Sequence, residues 1–512
     1  MMLLFIRFQM SSSGQIGPYT NPAIGYLKKS IGPTFFFLFI LFAGGADGLH
    51  AQDQQKTFRA GASLSNITPP LGEPIVGNWN SPPATYVHDQ LYAKSLVLDD
   101  GDTRLVFVLV DNVGVNREVF DAAKSLVRNE TGLEKKNMLM AATHTHSSIS
   151  AGGEGQKRRG WHYGEPLDEY QRFLARRIAD GVRIAMENLQ PAEIAWGSVD
   201  APEHVFNRRW IMEEPVSNPL GTQDKAQMNP GHQNPALVEP AGPTDPEVSF
   251  IAVQSKEGTP ISVLGNYSLH YIGGVPGGHL SADYFAVFGD RLKELLQGDR
   301  QHPPFVGIMS NGTSGDINNL NFAEAPERKP PYEQMQMVGR DVAQKVHRVY
   351  QGLEFREWVP LRSAQSELTL DVRRASPEIQ ANMEKIRDRP EGAEPLYHRL
   401  EKVYAGRIAQ LEEWPDQIDI QLQTFGIGEL GISAIPFEVF AEIGLEIKEE
   451  SPFTDTFTIE LANGSYGYLP TPPQHELGGY ETWLSTNRVE KEASSKIVAE
   501  LMKLFNEVQT NQ

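Results

Sequence analysis

Asn137-Met-Leu-Met-Ala-Ala-Thr-His-Thr-His-Ser147 reads as a buried strand that delivers two imidazoles at its carboxyl end. Side chains alternate faces along a strand, so residues two apart point the same way. His144 and His146 are therefore expected on one face. The small residues of Ser147-Ser-Ile-Ser-Ala-Gly-Gly153 leave room beside them for a metal and a substrate. The bland alternative is one hydrogen-bonded structural histidine next to an unrelated surface one. It stays open on this short pattern alone.

Upstream, Arg104-Leu-Val-Phe-Val-Leu-Val-Asp111 is a continuous apolar run of β-branched character, hence a strand buried on both faces. Asp111 at its end sits where open α/β sheets place functional residues. A helix around Glu118–Val127 joins it to the His-x-His strand, and strand-helix-strand is the unit of a parallel sheet. Phe58–Pro70 forms an earlier strand ending in a proline-fixed turn. Downstream, Glu169–Leu189 has the apolar spacing of a helix. Residues 207–247 are rich in Pro, Gly and Asn without periodicity, which predicts a long loop near the site. Val248–Gln254 and Ile261–Leu269 read as paired strands, with His270 ending the second. Phe305–Met309 runs into Ser310-Asn-Gly-Thr-Ser-Gly-Asp-Ile-Asn-Asn319. Helices follow at Gln334–Tyr350 and through much of 377–412, the latter a solvated outer layer. Ile418–Phe425 and Leu430–Ile435 are strands joined by a tight Gly turn. Glu438 comes just after them, and Thr456–Leu461 leads into Asn463-Gly-Ser-Tyr-Gly-Tyr468.

The bulk composition narrows the function. With 512 residues, of which 40% are hydrophobic and 22% charged, the chain can bury a sizeable globular core. Its formal charge of −19 repels phosphate backbones, so nucleic acid is excluded as a partner. It has no cysteine, which removes thiolate nucleophiles and leaves any metal to His, carboxylate or other oxygen ligands. Lys28-Lys29, the apolar run Phe35–Phe42 and the small residues at Ala46 or Ala51 have the layout of a cleaved signal peptide. The run is shorter than the roughly 18 residues of a spanning helix. Residues 1–51 are thus expected to be a signal with an N-terminal extension. The mature chain, 52–512, is expected to be secreted or periplasmic, with no stable membrane span.

His144, His146, His270, Asp316, Glu438 and Tyr468 all stand at strand ends without an evident structural purpose. A hydrolytic zinc site needs neutral nitrogen donors, a carboxylate and one open position, and residues of these types meet that need. Structural readings exist for each. Tyr468 could be an ordinary core tyrosine, Glu438 could pair with a helix dipole, and His279 in Gly277–Asp283 rivals His270. The Lys157-Arg-Arg159 run reads as a solvated loop.

The ordered motifs resemble a known family. Ala142-Thr-His-Thr-His-Ser147 with its following glycines is similar to the signature of the neutral, non-lysosomal ceramidases. Asn207-Arg208 before Asn218-Pro219 and Asn266-Tyr-Ser-Leu-His270 resemble further segments of that family. So do Ser310-Asn311 with Gly315-Asp316, Ile435-Pro-Phe-Glu438, and Tyr466-Gly-Tyr468 followed by Thr471 and Tyr480-Glu481. The likeness runs from about Phe58 onward. It implies one Zn2+ held by His144, His270, Glu438 and Tyr468, with a zinc-activated water attacking an amide carbonyl. It also implies that His146, not a ligand, and Arg208 stabilise the oxyanion. The fold expected is α/β: a mixed β-sheet core flanked by helices in α-β-β-α layers. It would form a single catalytic domain over 52–512, with no C-terminal immunoglobulin-like domain. No residue is identified as the acid for the leaving amine.

The chain departs from the family at Asn318-Asn319-Leu320, which replaces Ser-Pro-Asn and removes a hydroxyl. Glu154, Lys157, Arg158 and Arg159 make the segment after Gly153 more polar than a ceramide-accepting mouth should be. Three readings follow: a secreted zinc amidohydrolase of ceramide or a related N-acyl lipid, a zinc hydrolase of a smaller and more polar amide or ester, and a binding protein that keeps the fold without catalysis. Retention of the site residues argues against the last.

Overall fold

The computed structural model describes residues 56–152, 161, 163–390 and 392–510. The signal segment 1–51 and the polar run Glu154–Arg159 lie outside the described residues. The described residues pack as one unit.

Eight strands form the main sheet: β1 (Arg59–Asn66), β2 (Tyr92–Asp99), β3 (Arg104–Val110), β4 (Met138–Ala142), β5 (Gln190–Asp200), β6 (Glu247–Ser255), β7 (Pro260–Tyr267) and β8 (Val306–Asn311), in the order β8-β7-β6-β5-β1-β2-β3-β4. The expected strand-helix-strand unit is present. β3 and β4 pair in parallel, joined by α1 (Arg117–Thr131), which ends on Gly132 at φ 78°. Only glycine takes that left-handed end without strain. α2 (Glu169–Glu187) starts with a capping box in which Asp168 and Gln171 satisfy each other's backbone N–H groups. α3 (Asp283–Leu295) and α4 (Glu333–Tyr350) complete the helical layer on this face.

A second sheet, β9 (Leu361–Asp371), β10 (Gln417–Ile427), β11 (Leu430–Ile435) and β12 (Asp455–Glu460), lies in that strand order and packs on the other face. Alternation along β3 shows why. Leu105, Phe107 and Leu109 enter the layer shared with Phe425, Ile432 and Phe457, whereas Val106, Val108 and Val110 pack under the helices with Phe120 and Ile178. Each such fully buried side chain contributes about 1.5–3 kcal/mol. Beyond the second sheet, α5 (Pro377–Arg387), α6 (Glu401–Glu412), α7 (Ala441–Glu450) and α8 (Ala493–Thr510) cover a further apolar cluster. The layers are α-β-β-α, as expected.

Two expectations need correction. Residues 207–247 are not one irregular loop: they hold a three-stranded sheet of Arg209–Ser217, Gln223–Met228 and Leu237–Pro240. Most of its side chains are exposed or half-buried, so no apolar alternation marked it. The region 377–412 is two helices, and one face of each is buried through Met383, Ile386, Tyr404 and Ile408. No helix among the described residues is long and apolar enough to cross a membrane.

The main sheet also sets where the site forms. By their pairings, β4 and β8 at its two edges run antiparallel. Pairing between β1 and β5 is limited to Arg59 with Pro191 and Ala60 with Gln190, and past this short joint the two halves of the sheet fold toward one another. The edges touch, and carboxyl ends that pairing alone would send apart arrive together.

Candidate metal centre and active site

β4 stops at Ala142, two residues short of the histidines. The amides of Thr143 and His144 donate to the carbonyls of Val110 and Asn112, both at 2.9 Å. His144 then adopts φ 74°. A non-glycine residue in the left-handed region carries strain and marks a site whose surroundings over-determine it. Strand alternation therefore does not bring the two imidazoles together, contrary to the sequence reading. The left-handed step does, leaving His144 Nε2 and His146 Nε2 3.1 Å apart. Gly77 packs against His146 so closely that a Cβ there would lie 2.7 Å from the ring.

His270 follows β7, and its Nε2 lies 3.0 Å from His144 Nε2. The other nitrogens of these two rings are fixed. His144 Nδ1 donates to the Val113 carbonyl at 2.5 Å and His270 Nδ1 to the Ser314 carbonyl at 3.0 Å. Each Nε2 is thereby left with its lone pair outward, the arrangement of a metal-ligating histidine. His146 differs: its Nδ1 is buried beside the Gly77 backbone without a well-formed hydrogen bond, and its ring stacks on Tyr271 at 3.7 Å.

Glu438 and Tyr468 are brought side by side by a two-residue parallel ladder, Glu438–Val439 against Tyr468–Leu469. Glu438 Oε2 is 3.3 Å from His144 Nε2 and 3.9 Å from His270 Nε2, yet is buried without a hydrogen-bond partner. Behind it stands Glu460, at the end of β12. Its carboxylate accepts from Ser314 Oγ at 2.7 Å and from the Val439 amide at 2.6 Å.

Burial, then the neighbouring His144 and Arg208, holds His146 and His270 well below the ordinary imidazole range. Burial works to raise Glu438, but His144, the Tyr468 hydroxyl and Arg208 outweigh it and keep the carboxyl ionised. Burial and the Glu438 charge push the Tyr468 phenol well up. A neutral His270 beside an ionised Glu438 offers donor states that a divalent cation requires.

The donor spacing also fits. Tetrahedral zinc with bonds of 2.0–2.1 Å sets its donors about 3.3 Å apart, and the separations among His144 Nε2, His270 Nε2 and Glu438 Oε2 are 3.0, 3.3 and 3.9 Å. The orphaned Glu438 oxygen is the atom that a cation would satisfy. His144, His146 and His270 also form a group able to hold a metal on their own.

Arg208 lies beside this centre, its guanidinium 5.3 Å from the Tyr468 ring. Nε donates to Glu481 at 2.8 Å, Glu481 also takes Arg209 Nη1 at 2.8 Å, and Arg208 Nη2 is buried without a partner. Three other sequence candidates stay outside the cluster. Asp316 accepts from Asn207 Nδ2 and the Ala441 amide, tying the Arg208 strand to the start of α7, and burial pushes its pKa up to about 6. Asp111 accepts from the Tyr92 amide and pairs with Lys94. His279 bonds to the Tyr332 hydroxyl and packs at a tilt against the Tyr86 ring. The structure thus joins His144, His146, His270, Glu438, Tyr468 and Arg208. Sequence reasoning missed Ser314, Tyr271, Glu460 and the Glu481–Arg209 support. Glu460 carried the same signal as Glu438, an acid at a strand end.

No family model matches the sequence. Solved structures do resemble this chain. A crystal structure of neutral ceramidase from Pseudomonas aeruginosa aligns with TM-score 0.63 and 15% identity over 88% of this chain and 74% of that one. A ceramidase complexed with C2 aligns with TM-score 0.64 and 14% identity, over 89% and 76% respectively. The fold is that of neutral ceramidase.

Within this ceramidase fold, a cleft of about 240 Å³ opens onto the cluster. His144, His146, Glu438 and Tyr468 lie in its wall. Val76 and Val113 are its aliphatic lining, against Asn78, Ser81, Asn116, Ser150, Ser465, Thr486, Arg407 and Arg488. The described lining is mainly polar through these residues, while the polar run Glu154–Arg159 lies outside the described residues.

Proposed function

We propose that this chain is a zinc-dependent hydrolase of N-acyl amides, with zinc held by His144, His270, Glu438 and Tyr468. The observation that carries the reading is Glu438 Oε2, buried and unpartnered 3.3 Å from a tautomer-fixed His144 Nε2. Its setting, a fold shared with neutral ceramidases, supports amide hydrolysis. A zinc bound there supplies Lewis acidity and a water acidified toward neutral pH, which suits an unreactive amide.

The chain's own groups have separable tasks. Arg208 Nη2 and neutral His146 are donors for the carbonyl oxygen as it gains charge. Glu481 and Tyr271 hold those two side chains in place. Ser314 and Val113 fix the tautomers of the ligands.

Ceramide or a related N-acyl lipid is the first substrate candidate, because the neighbours are ceramidases. The polar lining favours the second reading, a smaller and more polar amide. We further read residues 1–51 as an export signal, which N-terminal sequencing of protein recovered outside the cytoplasm would test.

Elemental analysis tests the ligand assignment. His144→Ala should lose its zinc, whereas His146→Ala should keep it and lose turnover of an N-acyl amide. The reverse pattern would make His146 the ligand.

A further inference from the structure

Among the described residues, the lining of the cleft holds more basic than acidic side chains. The whole chain has net charge −19, and such a protein repels anions. Yet the described lining of the cleft contains two guanidinium groups, Arg407 and Arg488, and one carboxylate, Glu438, which the proposed zinc occupies.

Arg407 is held in an unusual way. Its guanidinium lies 5.2 Å from the Trp79 ring and 5.0 Å from the Tyr404 ring. Aromatic faces orient the planar fork without neutralising it. Among the described residues, no carboxylate forms an ion pair with Arg407. An ordinary surface arginine is mobile or paired with a neighbouring acid, whereas this one lies against two rings and, among the described residues, pairs with no acid.

Two aromatic residues connect Arg407 to the centre. Trp79, about half exposed, meets Tyr480 edge-on at 6.2 Å, and Tyr480 meets Tyr468 at 5.7 Å. Arg407 and the centre share the wall of one cleft, so a ligand with its amide at the centre extends along this aromatic row toward Arg407. A guanidinium fork matches a carboxylate, sulfonate or phosphate through paired hydrogen bonds. The hydroxyls of a neutral sphingoid base make no such demand.

We propose that the cleft is a subsite for an oxyanion and that the preferred substrates are N-acyl amides whose amine portion bears an anionic group, recognised by Arg407. The inference rests on the hydrolase reading above.

Octanoyl amides, short enough to avoid micelles, test it on the zinc-loaded full chain. The panel is N-octanoyl ethanolamine as the neutral member, with N-octanoyl glycine, N-octanoyl taurine and N-octanoyl phosphoethanolamine as the carboxylate, sulfonate and phosphate arms. We expect kcat/KM for at least one anionic member to exceed the neutral one by tenfold or more, carried by KM. Arg407→Met, which keeps the contact with Trp79, should collapse that ratio toward one, and Arg407→Lys should restore part of it. The strongest arm identifies the anion.

Binding keeps the test decisive without turnover. Ketone isosteres, with methylene in place of the amide nitrogen and ending in a carboxylate or a hydroxymethyl group, are titrated by calorimetry. Equal affinities, or an anion preference untouched by Arg407→Met, overturn the subsite. Cleavage of the neutral amide without anion preference would overturn only this inference. Anion-selective binding without cleavage of any amide would overturn only the hydrolase reading.

Discussion

Arg208 is held at one end and open at the other. Glu481 fixes Nε, and Nη2 has no acceptor although it is buried. An orphaned buried donor costs about 1–3 kcal/mol, a cost that makes sense where a reacting oxygen completes the bond. Arg208→Lys should keep fold and zinc while kcat falls on the order of a hundredfold, because an ammonium cannot serve Glu481 and the substrate at once. Steady-state kinetics with parallel zinc analysis check this, and near-normal turnover would put Arg208 outside the reacting centre. At this scale the sequence was most informative about residue types at strand ends: two histidines, a third histidine, an acid and a tyrosine. It was silent about the left-handed His144 and the carbonyls of Val113 and Ser314. Backbone oxygens carry no side-chain signature, and a positive φ at histidine has no local marker.

Among the elements, legibility followed periodicity. β3, α1 and β4 were readable because apolar residues recur at the strand and helix periods over a sufficient length, and burial on both faces left β3 unbroken. The three short strands between Arg209 and Pro240 were not readable, since their exposure removes the alternation that marks a strand. Lys124 shows a different kind of hidden feature. It sits on the buried face of α1 and reaches Gln421 on β10 at 2.9 Å and Asn463 at 2.8 Å. Burial lowers its pKa to about 7, against about 10.4 in an unfolded chain. Between those values the unfolded state binds more protons, so folding stability should rise with pH from 7 toward 10, by at most about 1.4 kcal/mol per unit. The gain is complete above the unfolded pKa and lost as pH falls to the folded one. Urea unfolding at pH 7, 8 and 9 should show this slope in the wild type and a flatter one in Lys124→Met. Parallel profiles would mean that the native lysine is charged.

For the whole molecule, the centre depends on the contact between the two edges of the main sheet and on the second sheet docked against it. Its proposed ligands stand at positions 144, 270, 438 and 468, so an unfolded chain offers no preformed set. Zinc that binds only the native state should stabilise it by about 4 kcal/mol at a thousandfold excess over Kd. Calorimetric melting should therefore shift to lower temperature on chelation and return on adding zinc, in a concentration-dependent way. A melting temperature indifferent to chelator would separate the cluster from metal binding.

The convergence of the two sheet edges has a consequence for the order of events in the life of the chain. Synthesis runs from residue 1, and the first histidine of the cluster emerges long before the ladder that aligns Glu438 with Tyr468. No nascent intermediate possesses the complete coordination sphere. A metal held by the proposed ligands is therefore acquired last, after the final strands have docked, and comes from whichever compartment folding finishes in.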